Sequence, residues 1–175
     1  MSCLATKGRN LPCKSAFGGI KSVLFANYQS NITVTLDSAT GINTIVNGSP
    51  APEWYQYQVK GNSSLETTVT SSRENGTTFY TQTLNLTLPY LDALTQAQLE
   101  LLALGRPYIV VEDYYGNNFL CGFENGMECT SGTVVTGAAA GDLSGFTMVF
   151  EGMEETAPLF INATPTAEAS PIIPN

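Results

Sequence analysis

The stretch that most constrains this chain runs from Leu65 to Leu88. Two Thr-rich runs, Leu65 to Thr70 and Phe79 to Leu88, place apolar residues at alternate positions, which is the period of a strand with one buried face. Between them lies Ser71-Ser72-Arg73-Glu74-Asn75-Gly76-Thr77-Thr78, and Asn75-Gly76 suits the left-handed φ values of a tight reversal. A long β-hairpin with a projecting polar tip follows. A chain committed to such a hairpin needs further strands or a helix to cover its apolar face, because an isolated two-stranded ribbon is marginal in water.

A short helix is predicted next, from about Thr95 to Leu104. Thr95 is read as its cap, with Gln98 closing a capping box and Leu94 stapled to Leu99. Gly105 falls just past the end and Pro107 prevents continuation. Leu94, Ala97, Leu101 and Leu104 share one arc, so this arc is expected to lie on the sheet. So short a helix depends on that packing for its persistence.

Elsewhere strands are predicted at Ile20 to Ala26, Ile32 to Leu36, Ile42 to Val46, Trp54 to Lys60, Tyr108 to Tyr114, Phe119 to Glu124, Met127 to Thr130, whose path Thr133 to Thr136 continues past a bulge at Gly132, and Phe146 to Met153. Asn125-Gly126 reads as a two-residue hairpin turn. Residues 1–20 form an N-terminal arm, 21–155 a single β-rich domain, and 156–175 an extended C-terminal tail marked by Pro158, Pro165, Pro171 and Pro174. The fold class is therefore mainly β, a β-sandwich or barrel with one short flanking helix and extended arms at both ends.

Charge sharpens the picture. Lys7, Arg9, Lys14 and Lys21 all precede the first acid, Asp37, whereas no base follows Arg106 in a chain of net charge −8. A basic arm joined to an acidic body favours contact between the arm of one copy and the body of the next. An acidic chain is a poor wrapper of nucleic acid, which demands clustered Lys and Arg on the phosphates. Only 13% of residues are charged, about half the usual share. That deficit fits surface lying against other copies; it equally fits a domain solubilised by Thr, Ser and Asn.

The residues offer little to catalysis, and no enzymatic activity is expected. With no histidine in the sequence, the familiar triads and mixed zinc sites lack a member, and Cys3, Cys13, Cys121 and Cys129 do not follow zinc spacing. Across an Asn125-Gly126 turn, Cys121 and Cys129 face opposite sides, as do Glu124 and Glu128, which argues against a disulfide in the first pair and paired-carboxylate glycosidase chemistry in the second. Cys3 could reach Cys13 within the arm, but reduced thiols are expected for a protein made in a cytosol. Glu112, Asp113 and Asn117-Asn118 lack calcium-loop spacing and read as turn residues. Gly137 to Gly145 resembles a phosphate cradle in composition alone, without its lysine or following helix. Of the sequons at Asn31, Asn47, Asn62, Asn75, Asn85 and Asn162, most are read as compositional in a chain so rich in Asn and Thr. Trp54, Tyr55 and Tyr57 could stack on sugars, although sandwich cores and rims use such residues more often. No cofactor or metal is implied. The amino terminus lacks the apolar segment of a signal peptide, and no run is long enough to span a membrane.

Several segments together, Arg106 to Asn118, Gly126-Met127-Glu128, Thr133 to Gly137, Gly141 to Phe146, and Ser71 to Thr78, resemble small virion proteins of crAss-like tailed bacteriophages of gut Bacteroidetes. The resemblance implies a ring or tail-tube-like component of the portal and tail, made in the host bacterial cytoplasm and located in the virion. It implies a homo-oligomeric ring and other portal or tail proteins as partners, with genomic DNA passing through the channel without specific binding, and no membrane. An acidic lumen would repel DNA phosphates and let the genome slide. The non-phage alternative is a secreted or fimbrial β-sandwich module binding a carbohydrate or protein. For the ring reading, the candidate inter-subunit contacts are Arg73, Glu74, Asn75 and Gly76 at the hairpin tip, with Lys7, Arg9, Lys14 and Lys21 of the basic segment.

Overall fold

A computed structural model describes residues 7–11, 13–15, 17–29, 32–59 and 61–166. The hairpin forms as its alternation dictates, from β5 (Ser64–Ser72) and β6 (Thr77–Pro89), paired from Ser64 opposite Asn85 to Ser72 opposite Thr77. Along β6, Gln82, Leu84, Leu86 and Leu88 are buried, while the intervening residues Thr81, Thr83, Asn85 and Thr87 point to the other face. Gly76 takes a φ of 63° in the tip, the left-handed conformation that glycine adopts without strain.

Two sheets pack face to face. The four-stranded sheet has the order β5, β6, β10 (Gly145–Glu154), β9 (Glu128–Val135). The seven-stranded sheet contains β1 (Ile20–Ala26), β2 (Thr33–Leu36), β3 (Asn43–Val46), β4 (Tyr55–Gln58), β7 (Tyr108–Asp113), β8 (Asn118–Cys121) and β11 (Leu159–Ile161), in the order β2, β3, β11, β8, β7, β1, β4. Of the two predicted architectures, the sandwich is the one observed. Between the sheets, Val23, Phe25, Ile109, Val111 and Cys121 meet Leu84, Leu86, Phe146, Met148 and Phe150. Sheet residues of opposite parity, Leu24, Val110 and Leu120, build a second core with Ile32, Trp54, Tyr108 and Ile161. The run Ile109-Val110-Val111 is continuous rather than alternating because β7 is buried on both faces.

Several expectations are corrected. Asn125-Gly126 does not close a hairpin: β8 lies in the larger sheet and β9 pairs with β10 in the smaller one, so residues 122–127 cross between layers. Gly122 has a φ of 67°, and a Cβ there would come within 2.7 Å of Gly126 backbone. The runs at 127–130 and 133–136 do join into one strand, but the bulge is displaced. Its register shift falls between Cys129 and Ser131, not at Gly132, which sits in regular pairing with Met148. The proline-bearing tail includes β11, antiparallel to β8 and parallel to β3, and Asn43 Nδ2 donates to the Phe160 carbonyl at 3.0 Å.

The helix α1 spans Ala93–Leu104 and is capped by Asp92 rather than Thr95. The Asp92 carboxylate accepts the backbone N–H groups of Leu94 at 3.1 Å and Thr95 at 3.0 Å, together with the Thr95 hydroxyl at 3.3 Å. Asp92 has an extended backbone (φ −141°) one turn earlier, so it reaches the free N–H groups and Thr95 becomes a buried residue of the first turn. Gly105 stands at the C-cap with φ −98°, outside the left-handed region. The buried face is also not the predicted one: Thr95 and Leu99 are buried and Leu102 packs against the core, whereas Leu94, Ala97, Leu101 and Leu104 face solvent.

Candidate assembly surfaces

The hairpin tip projects. Pairing between β10 and β6 stops at Glu154 opposite Tyr80, so the rungs from Thr70–Phe79 to Ser72–Thr77 belong to a two-stranded ribbon beyond the four-stranded sheet. Ser71 and Thr78 hydroxyls meet at 2.9 Å across it, and Ser72 Oγ accepts the Asn75 N–H at 3.3 Å. Arg73, Glu74, Asn75 and Gly76 are all exposed at its end.

The described arm is equally open. Lys7, Arg9 and Lys14 are exposed, Leu11 is 98% exposed, and Phe17 makes an edge contact with Tyr114 where the arm joins the domain. Lys21 differs from these bases: its Nζ lies 2.6 Å from Glu112 Oε1. Burial pushes the Glu112 carboxyl up, but hydrogen bonds from Lys21 and the Ser22 hydroxyl outweigh it and hold the group below its ordinary value. Arg106, the last base in the chain, stacks over the Tyr28 ring at 4.8 Å.

A third surface was not anticipated as a surface. On α1, Leu94 and Leu101 are 64% and 63% exposed and Leu104 87%, continued by exposed Tyr90. The shared arc of Leu94, Ala97, Leu101 and Leu104 was legible; which side of the helix the sheet would take was not, since Leu99 and Leu102 form a second apolar stripe.

Other candidates resolve into structural roles. Asp113 accepts the Asn117 N–H and side-chain amide, both at 2.7 Å, and so ties its own turn. Asp142 accepts the backbone N–H groups of Ala138 and Ala139, which lower its pKa; the glycine-rich loop is thus filled by its own carboxylate. Glu124 lies within the interlayer crossing and Glu128 opens β9, so the two carboxylates do not share a strand pair. Buried Glu154 accepts the N–H groups of Glu124 at 3.0 Å and Asn125 at 2.9 Å, and Gln82 Oε1 accepts that of Gly122 at 3.1 Å, so two buried polar side chains hold the crossing in place. Burial raises the Glu154 pKa, and burial together with Glu154's charge pushes the Cys121 thiol up to about 12. Cys13, Cys121 and Cys129 are free; Cys3 lies outside the described residues. Trp54 is buried, Tyr57 packs edge-on against Phe25, and Tyr55 donates to Glu53 at 2.7 Å, so the three aromatics do not form a stacking platform. An open cleft of about 420 Å³ lies between β5 and the larger sheet, lined by Leu65, Val111, Phe119, Pro158 and Phe160. Among the described residues no group of three His, Cys, Asp or Glu could hold a metal ion, and no helix is long and apolar enough to cross a membrane.

These features define a two-sheet β-sandwich with one flanking helix, a projecting hairpin and a basic arm. Family models, curated proteins and solved structures give no significant match to the chain.

Proposed function

We propose that this chain is a non-enzymatic structural protein of a tailed-phage virion that assembles into a ring in the portal or tail, through which the genome passes without specific binding. The observation that carries the self-assembly part is the leucine stripe of α1, left in water on a helix whose other side is packed. A contiguous apolar surface of this kind marks an interaction site. The projecting ribbon and the exposed arm support the same reading, because extended elements suit subunits that reach their neighbours. Resemblance to crAss-like virion proteins supplies the phage context, and the net charge of −8 suits a channel that repels phosphate.

The test is the assembled state of the full chain, by analytical ultracentrifugation and electron microscopy, with and without portal particles as template. Closed rings of one subunit number are expected. A chain that remains monomeric under both conditions would sink the proposal.

A further inference from the structure

Among the described residues no layer covers the outer face of the four-stranded sheet, and its charges are arranged. Register places Glu66 on β5 opposite Thr83 on β6, Thr83 opposite Glu151 on β10, and Glu151 opposite Glu128 on β9. Leu65, Leu84 and Phe150, the neighbours of opposite parity, point into the core, so the three exposed glutamates stand in one row on the outer face. Among the described residues no base pairs with any of them. Glu151 and Glu128 are directly opposed like charges, an arrangement that costs stability unless a cation intervenes.

We infer that this face receives the basic arm of a second copy of the chain, with Lys7, Arg9 and Lys14 over the row formed by Glu66, Glu151 and Glu128. The inference rests on the self-assembly reading above and names its surface. Charge complementarity selects the occupant: the arm holds three exposed bases and no acid, and the face holds three exposed acids and no base. Dimensions agree. Four strands span about 14 Å across the row, and the seven rises from Lys7 to Lys14 in an extended arm cover about 23 Å, leaving slack for the side chains to settle. Apolar contact completes the match, since Leu11 lies between Arg9 and Lys14, and Met153, 63% exposed, lies two residues from Glu151 on the same face. An arm reaching from one copy to the sheet of the next makes a heterologous contact, the kind that closes into rings.

Charge exchange tests it. One full-length variant carries Lys7→Glu, Arg9→Glu and Lys14→Glu; the other carries Glu66→Lys, Glu128→Lys and Glu151→Lys. Thermal melts first establish that both fold. Each alone should self-associate at least about tenfold more weakly than the unaltered chain, and an equimolar mixture should restore association, because each altered arm then finds an altered face. Unaltered assembly of either variant, or no recovery on mixing, overturns the inference while leaving the ring reading standing. Recovery in dimers or open filaments supports the arm contact and removes the ring. An unaltered chain that never associates overturns both.

Discussion

Lys21 Nζ lies 2.6 Å from Glu112 Oε1, while Glu112 Oε2 accepts the buried Ser22 hydroxyl at 2.8 Å. This base of the N-terminal segment is therefore engaged within its own chain, unlike Lys7, Arg9 and Lys14. Because the folded Glu112 pKa is depressed below 4.5, its stabilisation is present above that value and is lost as pH falls through the folded value. Glu112→Gln should cost about 1–2 kcal/mol at neutral pH, discounted for the exposure of Lys21. Urea denaturation at neutral and at strongly acidic pH should show the gap between variant and unaltered chain closing on the acid side.

The two faces of α1 separate packing from assembly. Leu99→Ala should destabilise the fold by about 2–5 kcal/mol, since Leu99 is buried against Phe146 and Met148. Leu101→Glu with Leu104→Glu should leave monomer stability within about 0.5 kcal/mol and weaken self-association. Denaturant melts and sedimentation on the same samples read the two effects independently; a large loss of stability in the double variant would mean that the stripe is packed after all.

The helix cap offers a local test. Asp92→Ala removes the acceptor of two backbone N–H groups and should cost about 1 kcal/mol. Gln98→Ala, which would break the capping box read from Thr95, should change the chemical-denaturation midpoint hardly at all.

At the ribbon tip, Arg73→Glu should weaken assembly while the monomer stays folded, because the exposed side chain stands at the end of a two-stranded extension. Sedimentation velocity with circular dichroism checks both halves. Unchanged association returns the tip to being a solvated loop.

How much of this was legible follows the range of the forces involved. The β5–β6 hairpin, its turn at Asn75-Gly76 and the strand character of residues 20–26 and 108–113 are written in local alternation and turn chemistry, which depend on neighbours in sequence. The asymmetry between a basic arm and an acidic body was equally plain. The glutamate row was not, because Glu66, Glu128 and Glu151 come together only through the pairing of four strands distant in the chain.

By itself, then, the sequence determined a mainly β chain with a long polar-tipped hairpin, one short helix and separated charge. Tertiary structure alone decided that residues 122–127 cross between layers, that Leu159–Ile161 completes a sheet inside a proline-bearing tail, and that α1 buries Leu99 instead of Leu101. The reason is physical. Turn residues and periodicity state what a segment can form, but a glycine turn serves a hairpin or a crossing equally well, and a helix with two apolar stripes buries whichever one meets a complementary surface. That choice belongs to Phe146, Met148 and the rest of the core, which only the assembled sheets bring into position.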